Sequence, residues 1–259
     1  MKLIDTHCHL AHGRLRQQVP DVLQRARDAG VAAAICAAGD LQESRTALGL
    51  AREHEGVYCL AGVHPHAAKE VAEGYLTQLE QLVDRDENVA LGEIGLDYHY
   101  DFSPREDQRR VFAEQLDLAV RIGKKIVVQP REAFDDTMAI LSGAGVDGSR
   151  VVFHSFTGTS DEARRALEIG ATISFSGIVT FKRSDDLRDA AAFVPDEKIL
   201  IETDAPFLSP EPVRKMRTNE PAHVAHVATC LATVRNTTPD AIAELTTANA
   251  VRFFGLEDV

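Results

Sequence analysis

Short apolar runs rich in Val, Ile and Ala recur along the chain about every 20–35 residues, at 2–9, 31–39, 57–64, 89–96, 125–129, 151–155, 171–177 and 199–204. These eight runs are nearly continuous in hydrophobicity rather than alternating, the pattern of parallel strands covered on both faces. Between them the period changes to that of an amphipathic helix, as in residues 22–29, closed by Gly30, and 112–119, closed by Gly123. Glycine just past the last apolar position is the expected helix stop, because it enters the left-handed conformation without a Cβ clash. Strand–helix alternation over the whole length predicts an α/β protein with a parallel sheet, and eight units predict closure into a single (β/α)8 TIM barrel. A doubly wound open sheet is the main alternative topology. No Ser/Gly-rich linker divides the chain, so 1–259 reads as one domain. The longest irregular stretch, 205–220, carries Pro206, Pro210 and Pro212 and follows the eighth run, which in a barrel places it on the catalytic face.

Composition fits this picture. A chain of 259 residues with 44% hydrophobic and 26% charged content has the size of one barrel and can bury a large core. No window reaches the roughly 18 consecutive apolar residues of a spanning helix, and the opening Met1-Lys2-Leu3-Ile4-Asp5 lacks the basic and apolar segments of a signal peptide. A cytoplasmic protein without membrane association is expected, and a monomer. Cys8, Cys36, Cys59 and Cys230 form no CxxC pair and are expected to be buried, inert thiols. The net charge of −12 argues against general affinity for nucleic acid, which depends on many Lys and Arg contacts to phosphate. It does not exclude a nucleic-acid substrate held locally by metal ions and a few basic residues.

The polar residues fall at one end of the apolar runs. Six of the eight C-terminal ends carry metal-ligand or acid–base types: Asp5-Thr6-His7-Cys8-His9, Gly62-Val63-His64-Pro65-His66, Gly92-Glu93-Ile94-Gly95-Leu96-Asp97, Gln129-Pro130-Arg131, His154-Ser155 and Glu202-Thr203-Asp204. In a barrel those ends meet around one site. Residues two apart on a strand share a side, so His7 and His9 are expected to face the barrel interior together, with Cys8 facing the helices. Two imidazole nitrogens on one side suit a divalent ion. Glu93 offers two oxygens and can bridge a pair of metals. His154 is expected to hold a second metal. Asp204, at the end of a strongly apolar run, needs a cation or a proton, and as a carboxylate touching both metal and water it can take the proton when that water attacks. Glu202, two residues earlier, can hold a further ion, orient a ligand or pair with an arginine. His64 can hydrogen-bond a substrate oxygen. Arg131 lies two residues beyond Gln129 and can clamp a phosphate, and Arg105, Lys182, Arg183, Arg214, Lys215 and Arg217 are further basic candidates on the same face.

These segments, with His154-Ser155-Phe156-Thr157-Gly158, Glu202-Thr203-Asp204-Ala205-Pro206 and Asn219-Glu220-Pro221, make the chain resemble the TatD-like metal-dependent DNase family of the amidohydrolase superfamily over essentially its whole length. The resemblance implies a divalent-metal hydrolase of phosphodiester bonds, typically a 3′ to 5′ exonuclease on single-stranded DNA. It further implies that His7, His9, Glu93 and Asp204 hold one metal, that Glu93 bridges to a second, and that His154 holds the second. The sequence departs from the family at the fifth strand end, where the family usually has His-Ser-Arg and this chain has Gln129-Pro130-Arg131. A neutral amide oxygen from Gln129 in place of an imidazole favours Mg²⁺ or Mn²⁺ over Zn²⁺ at the second position, or a single metal. An amidase or lactonase on this scaffold is the enzymatic alternative, disfavoured because no strand end offers a lysine to bridge two metals. A barrel that has lost its chemistry and only binds is the other alternative, with Gln129 as its supporting feature.

Overall fold

The computed structural model of the chain describes residues 1–256. Eight parallel strands follow one another in chain order around the sheet: β1 (Leu3–Cys8), β2 (Val31–Cys36), β3 (Val57–Ala61), β4 (Asn88–Asp97), β5 (Ile126–Arg131), β6 (Val151–Phe153), β7 (Thr172–Phe175) and β8 (Ile199–Ile201). The barrel closes just beyond β8, where the backbone N–H of Asp204 donates to the His7 carbonyl at 2.9 Å and that of His9 to the Ala205 carbonyl at 2.6 Å. The open-sheet alternative is thereby excluded.

Helices α1 (Val19–Asp28), α2 (Leu41–Glu53), α3 (Tyr75–Val83), α4 (Arg105–Ile122), α5 (Phe134–Gly143), α6 (Ser160–Glu168), α7 (Asp185–Phe193) and α8 (Val224–Val234) cover the outside, and α9 (Pro239–Phe254) follows. Gly30 and Gly123 both take positive φ, as expected of helix stops. Inside the barrel, Ile4, Ile35, Leu60, Ala90, Val127, Val152 and Leu200 form one buried cluster, completed by Phe254 and Leu256 from the C-terminal end of the chain. Cys8 instead packs among Val19, Val22 and Leu23 of α1, the helix-facing side expected of it.

This inner cluster sets the phase of every strand except β7, which contributes no residue to it. Strict alternation from Val152, Leu200, Leu60 and Val127 brings His154, Glu202, His64 and Gln129 to the interior. The same count from Ile4 and Ala90 would turn His7 and Glu93 outward, toward the helices. Both strands break phase at that point: pairing of β1 with β2 shifts register between Asp5 and Cys8, and pairing of β4 with β5 shifts between Leu91 and Ile94. An irregularity of this kind re-aims one side chain, and here it delivers His7 and Glu93 to the interior. Gly92 and Gly62 allow the crowding this entails, since a Cβ on Gly62 would stand 2.8 Å from the Gly92 carbonyl carbon and one on Gly92 would stand 2.8 Å from the Val127 Cβ.

Candidate metal centre

Glu93 is the hub. Its Oε2 faces His7 Nε2 at 3.2 Å and His9 Nε2 at 3.6 Å, and its Oε1 faces His154 Nε2 at 2.9 Å and His64 Nε2 at 3.2 Å. One buried carboxylate thus has two imidazole nitrogens on each oxygen. Asp204 joins through His9, with Oδ1 3.3 Å from His9 Nε2. The His7 and His154 rings stack with centroids 4.0 Å apart.

A second layer fixes these groups. Glu202 is fully buried, takes hydrogen bonds from the Ser155 backbone N–H at 2.8 Å and the Ser174 hydroxyl at 2.5 Å, and contacts His154 Nδ1 at 3.1 Å. Of the three roles open to Glu202, pairing with an arginine is not seen among the described residues. It orients His154, and its carboxylate also lies in one donor group with His7 and His154 whose ligand atoms are all within 4.8 Å. Asp5 accepts from the Thr203 hydroxyl and backbone N–H at 2.6 and 2.9 Å, tying the ends of β1 and β8 together, and burial pushes its carboxyl up to about 8.

Burial and neighbouring charges together set the protonation pattern. Burial lowers the pKa of His7, and the neighbouring His154 lowers it further. Burial alone would also lower His154, but Glu93 and Glu202 on either side hold it well above the ordinary imidazole value. Burial opposes ionisation of Glu93, yet His154 and His64 keep its pKa well below the usual carboxylate range. No lysine or arginine pairs with Glu93, Glu202 or Asp204 among the described residues, and His7 Nδ1 is buried without a hydrogen-bond partner. Buried carboxylates need compensating positive charge. A divalent cation supplies it without protonating the rings, leaving nitrogen lone pairs free to bind, and an imidazole–carboxylate donor set suits such an ion. His7, His9 and Glu93 present donor atoms within 4.8 Å of one another, so the residues fit the group.

The centre forms the floor of a cleft of about 1220 Å³ on the face where the strands end. Gln129 lines this cleft, half-buried, and its amide makes no hydrogen bond among the described residues. His64 lies closer to the hub than its expected contact with substrate required. His66 instead pairs with Asp97 at 2.8 Å. Of the basic candidates, Arg131, Arg214, Lys215 and Arg217 line the cleft, while Lys182 and Arg183 do not, and Arg105 is paired with Asp101. Arg14 also lines it and was not singled out by the strand-end pattern, because it lies in the loop after β1 with no motif around it. Eleven other arginines are ion-paired, but Arg14, Arg131, Arg214 and Arg217 are in no ion pair among the described residues. The 205–220 loop contributes Phe207, Leu208, Ser209 and Met216, as its position after the eighth run predicts.

Residues 4–255 match the family model described as TatD related DNase. The chain belongs to this family. It is 35% identical to the metal-dependent hydrolase YabD of Bacillus subtilis, over 97% of this chain and 98% of that protein. It is 34% identical to a 3′-5′ ssDNA/RNA exonuclease, TatD, of Shigella flexneri, over 98% and 99% of the two chains. Among solved structures, the TatD homologue YJJV of Escherichia coli superposes with a TM-score of 0.92 at 31% identity, covering 98% of each chain. The family member described here is accordingly a metal-dependent hydrolase with a TatD-type barrel. Among the described residues no helix is long and apolar enough to cross a membrane.

Proposed function

We propose that this hydrolase is a 3′ to 5′ exonuclease that cuts phosphodiester bonds of single-stranded DNA. The observation that carries the reading is the Glu93 carboxylate, with imidazole nitrogens on both oxygens, at the floor of a cleft lined by Arg14, Arg131, Arg214 and Arg217, which are in no ion pair among the described residues. His7, His9, Glu93 and Asp204 would hold one divalent ion, and Glu93 with His154 a second. Such ions supply an activated water and neutralise charge on phosphate oxygens. The chain's own groups do the rest. Asp204, at the mouth of the centre and partly open to solvent, accepts the proton of the attacking water. Arg131, which lines the cleft beside the centre, contacts the phosphate and stabilises its growing negative charge. Glu202 keeps the His154 ring in the orientation its Nε2 needs, as partners behind a ligating histidine generally do. Mg²⁺ or Mn²⁺ is the preferred ion, with Zn²⁺ also admissible, because Gln129 offers oxygen where a further nitrogen would favour zinc. The Shigella relative's exonuclease name supports the substrate class.

The test is digestion of a 3′-labelled single strand by metal-free protein supplied with Mg²⁺, Mn²⁺ or Zn²⁺, alongside Asp204→Asn. Wild type should release labelled nucleotides with at least one metal. The variant should lose about a hundredfold or more in rate while still binding the strand. Binding without cleavage under every metal would instead support the barrel that only binds.

A further inference from the structure

We propose that the rings of Tyr100 and Phe102 form a stacking shelf for the bases at the 3′ end of the strand, a site that rests on the nucleic-acid reading above. Eight large apolar side chains stand exposed among the described residues, and four of them, Tyr100, Phe102, Phe207 and Met216, line the one cleft that contains Glu93. Exposed apolar groups scattered singly need no explanation, but a cluster at a catalytic cleft marks a contact surface. Tyr100 and Phe102 are 47% and 57% exposed, and they already stack on each other, with centroids 5.2 Å apart and planes 22° from parallel. A flat base placed on the open part of Phe102 extends that stack.

The shelf is built rather than incidental. Asp97 accepts hydrogen bonds from the backbone N–H groups of His99 and Tyr100 at 3.0 and 2.9 Å, which fixes the turn that carries the rings. His66, held by Asp97, sets its ring edge-on against both aromatics, 4.7 Å from Phe102 and 5.7 Å from Tyr100. Lys69 Nζ donates to the Phe102 carbonyl at 2.9 Å. Arg131 lies 4.6 Å from the Tyr100 ring centre, so the cation that reaches for phosphate is held against the shelf that would take the base. Alternating aromatic faces and cations is how single strands are bound, because a base has an open π-face only when it is not stacked within a duplex. Nothing in the shelf reads a base edge, so it favours single strands over duplexes with little regard for sequence. On a chain of net charge −12, stacking also supplies binding energy that a general basic surface does not.

Two fluorescein-labelled single-stranded decamers test this, one complete and one lacking the bases of its last three 3′ residues. Each is titrated by anisotropy with metal-free full-length protein as wild type, Phe102→Ala, Tyr100→Ala/Phe102→Ala and Phe102→Trp, and each is then compared by KM in the metal-supplied cleavage assay. The complete decamer should bind Phe102→Ala about tenfold or more weakly and the double variant more weakly still, with Phe102→Trp restoring wild-type affinity. The base-less decamer should not distinguish wild type from Phe102→Ala. Equal affinity of all proteins for the complete decamer, or an equal loss for both decamers, would overturn the shelf while leaving the nuclease reading intact. If wild type hydrolyses bis(4-nitrophenyl) phosphate with Mn²⁺ but neither binds nor cuts either decamer, the nucleic-acid reading fails, and the shelf falls with it.

Discussion

At the scale of single residues, the two oxygens of Glu93 divide the centre into unequal halves. On the Oε2 side stand His7 and His9, with Asp204 beyond them. On the Oε1 side stand His154 and His64. The second half therefore is not as poor in nitrogen as the replacement at Gln129 suggests on its own, because His64 lies 3.2 Å from the bridging carboxylate. That nearness was not legible in the sequence: His64 sits at a strand end next to Pro65, which marks a corner but not how far it leans inward. Gln129 remains the position where donor chemistry can be changed with least disturbance, since its amide has no partner among the described residues to lose. For Gln129→His, the rate-supporting metal should shift toward Zn²⁺ relative to Mg²⁺ and Mn²⁺, because an imidazole nitrogen replaces a hard neutral oxygen at the edge of the centre. Activity profiles across the three metals would show it, and an unchanged profile would mean that Gln129 lies outside the reach of the second ion.

Elements convey these residues to the centre, and here the sequence was readable up to the point where regular structure stops. All eight strands were legible because a buried parallel strand is apolar on both faces and stands out from amphipathic helices. The ends were not. Runs read to 155 and 204 stop as strands at Phe153 and Ile201, and Ser155 and Asp204 take positive φ, as the backbone leaves the ladder to point side chains into the cleft. The phase breaks in β1 and β4 were hidden for a related reason: the two-residue spacing of His7 and His9 fits alternation within their own motif, and only the inner cluster reveals the shift. The β4–α4 turn depends on Asp97. Burial opposes ionisation of this carboxylate, but His66 and the Tyr100 N–H hold its pKa below the ordinary 3.8. A carboxyl more acidic in the folded state stabilises the fold above its unfolded pKa, and that contribution is lost as pH falls through the folded value. Asp97→Asn should therefore cost about 1–2 kcal/mol near neutral pH, the low end because His66 is partly open to solvent. The deficit should shrink below about pH 4. Denaturant titrations of both proteins at neutral and acid pH would show it, and a deficit constant with pH would mean that the Asp97 charge does not hold the turn.

Across the whole molecule, closure of the barrel concentrates buried charge that the fold does not neutralise by itself. The apolar layer around Ile4, Leu60, Val152 and Leu200 fills the interior and leaves the polar layer above it, so Glu93, Glu202 and the histidines stand between an oil-like core and the cleft. Glu93 with Asp204 holds the pKa of His9, and Glu93 with Glu202 that of His154, above the ordinary imidazole value against the pull of burial. A bound ion takes the place of the imidazole protons as counter-charge to the carboxylates, and an ion that binds only the folded chain adds its own binding free energy. Metal at about a hundred times its Kd should contribute about 2.7 kcal/mol, which for a chain of this size raises Tm by about 5–10 °C. Calorimetry of EDTA-treated protein with and without Mn²⁺ measures the rise, and Glu93→Gln should abolish most of it by removing the charge that both halves of the centre share. A wild-type Tm indifferent to every divalent metal would mean that the folded barrel balances its own charges through the imidazoles alone, and the centre would then have no thermodynamic reason to hold an ion.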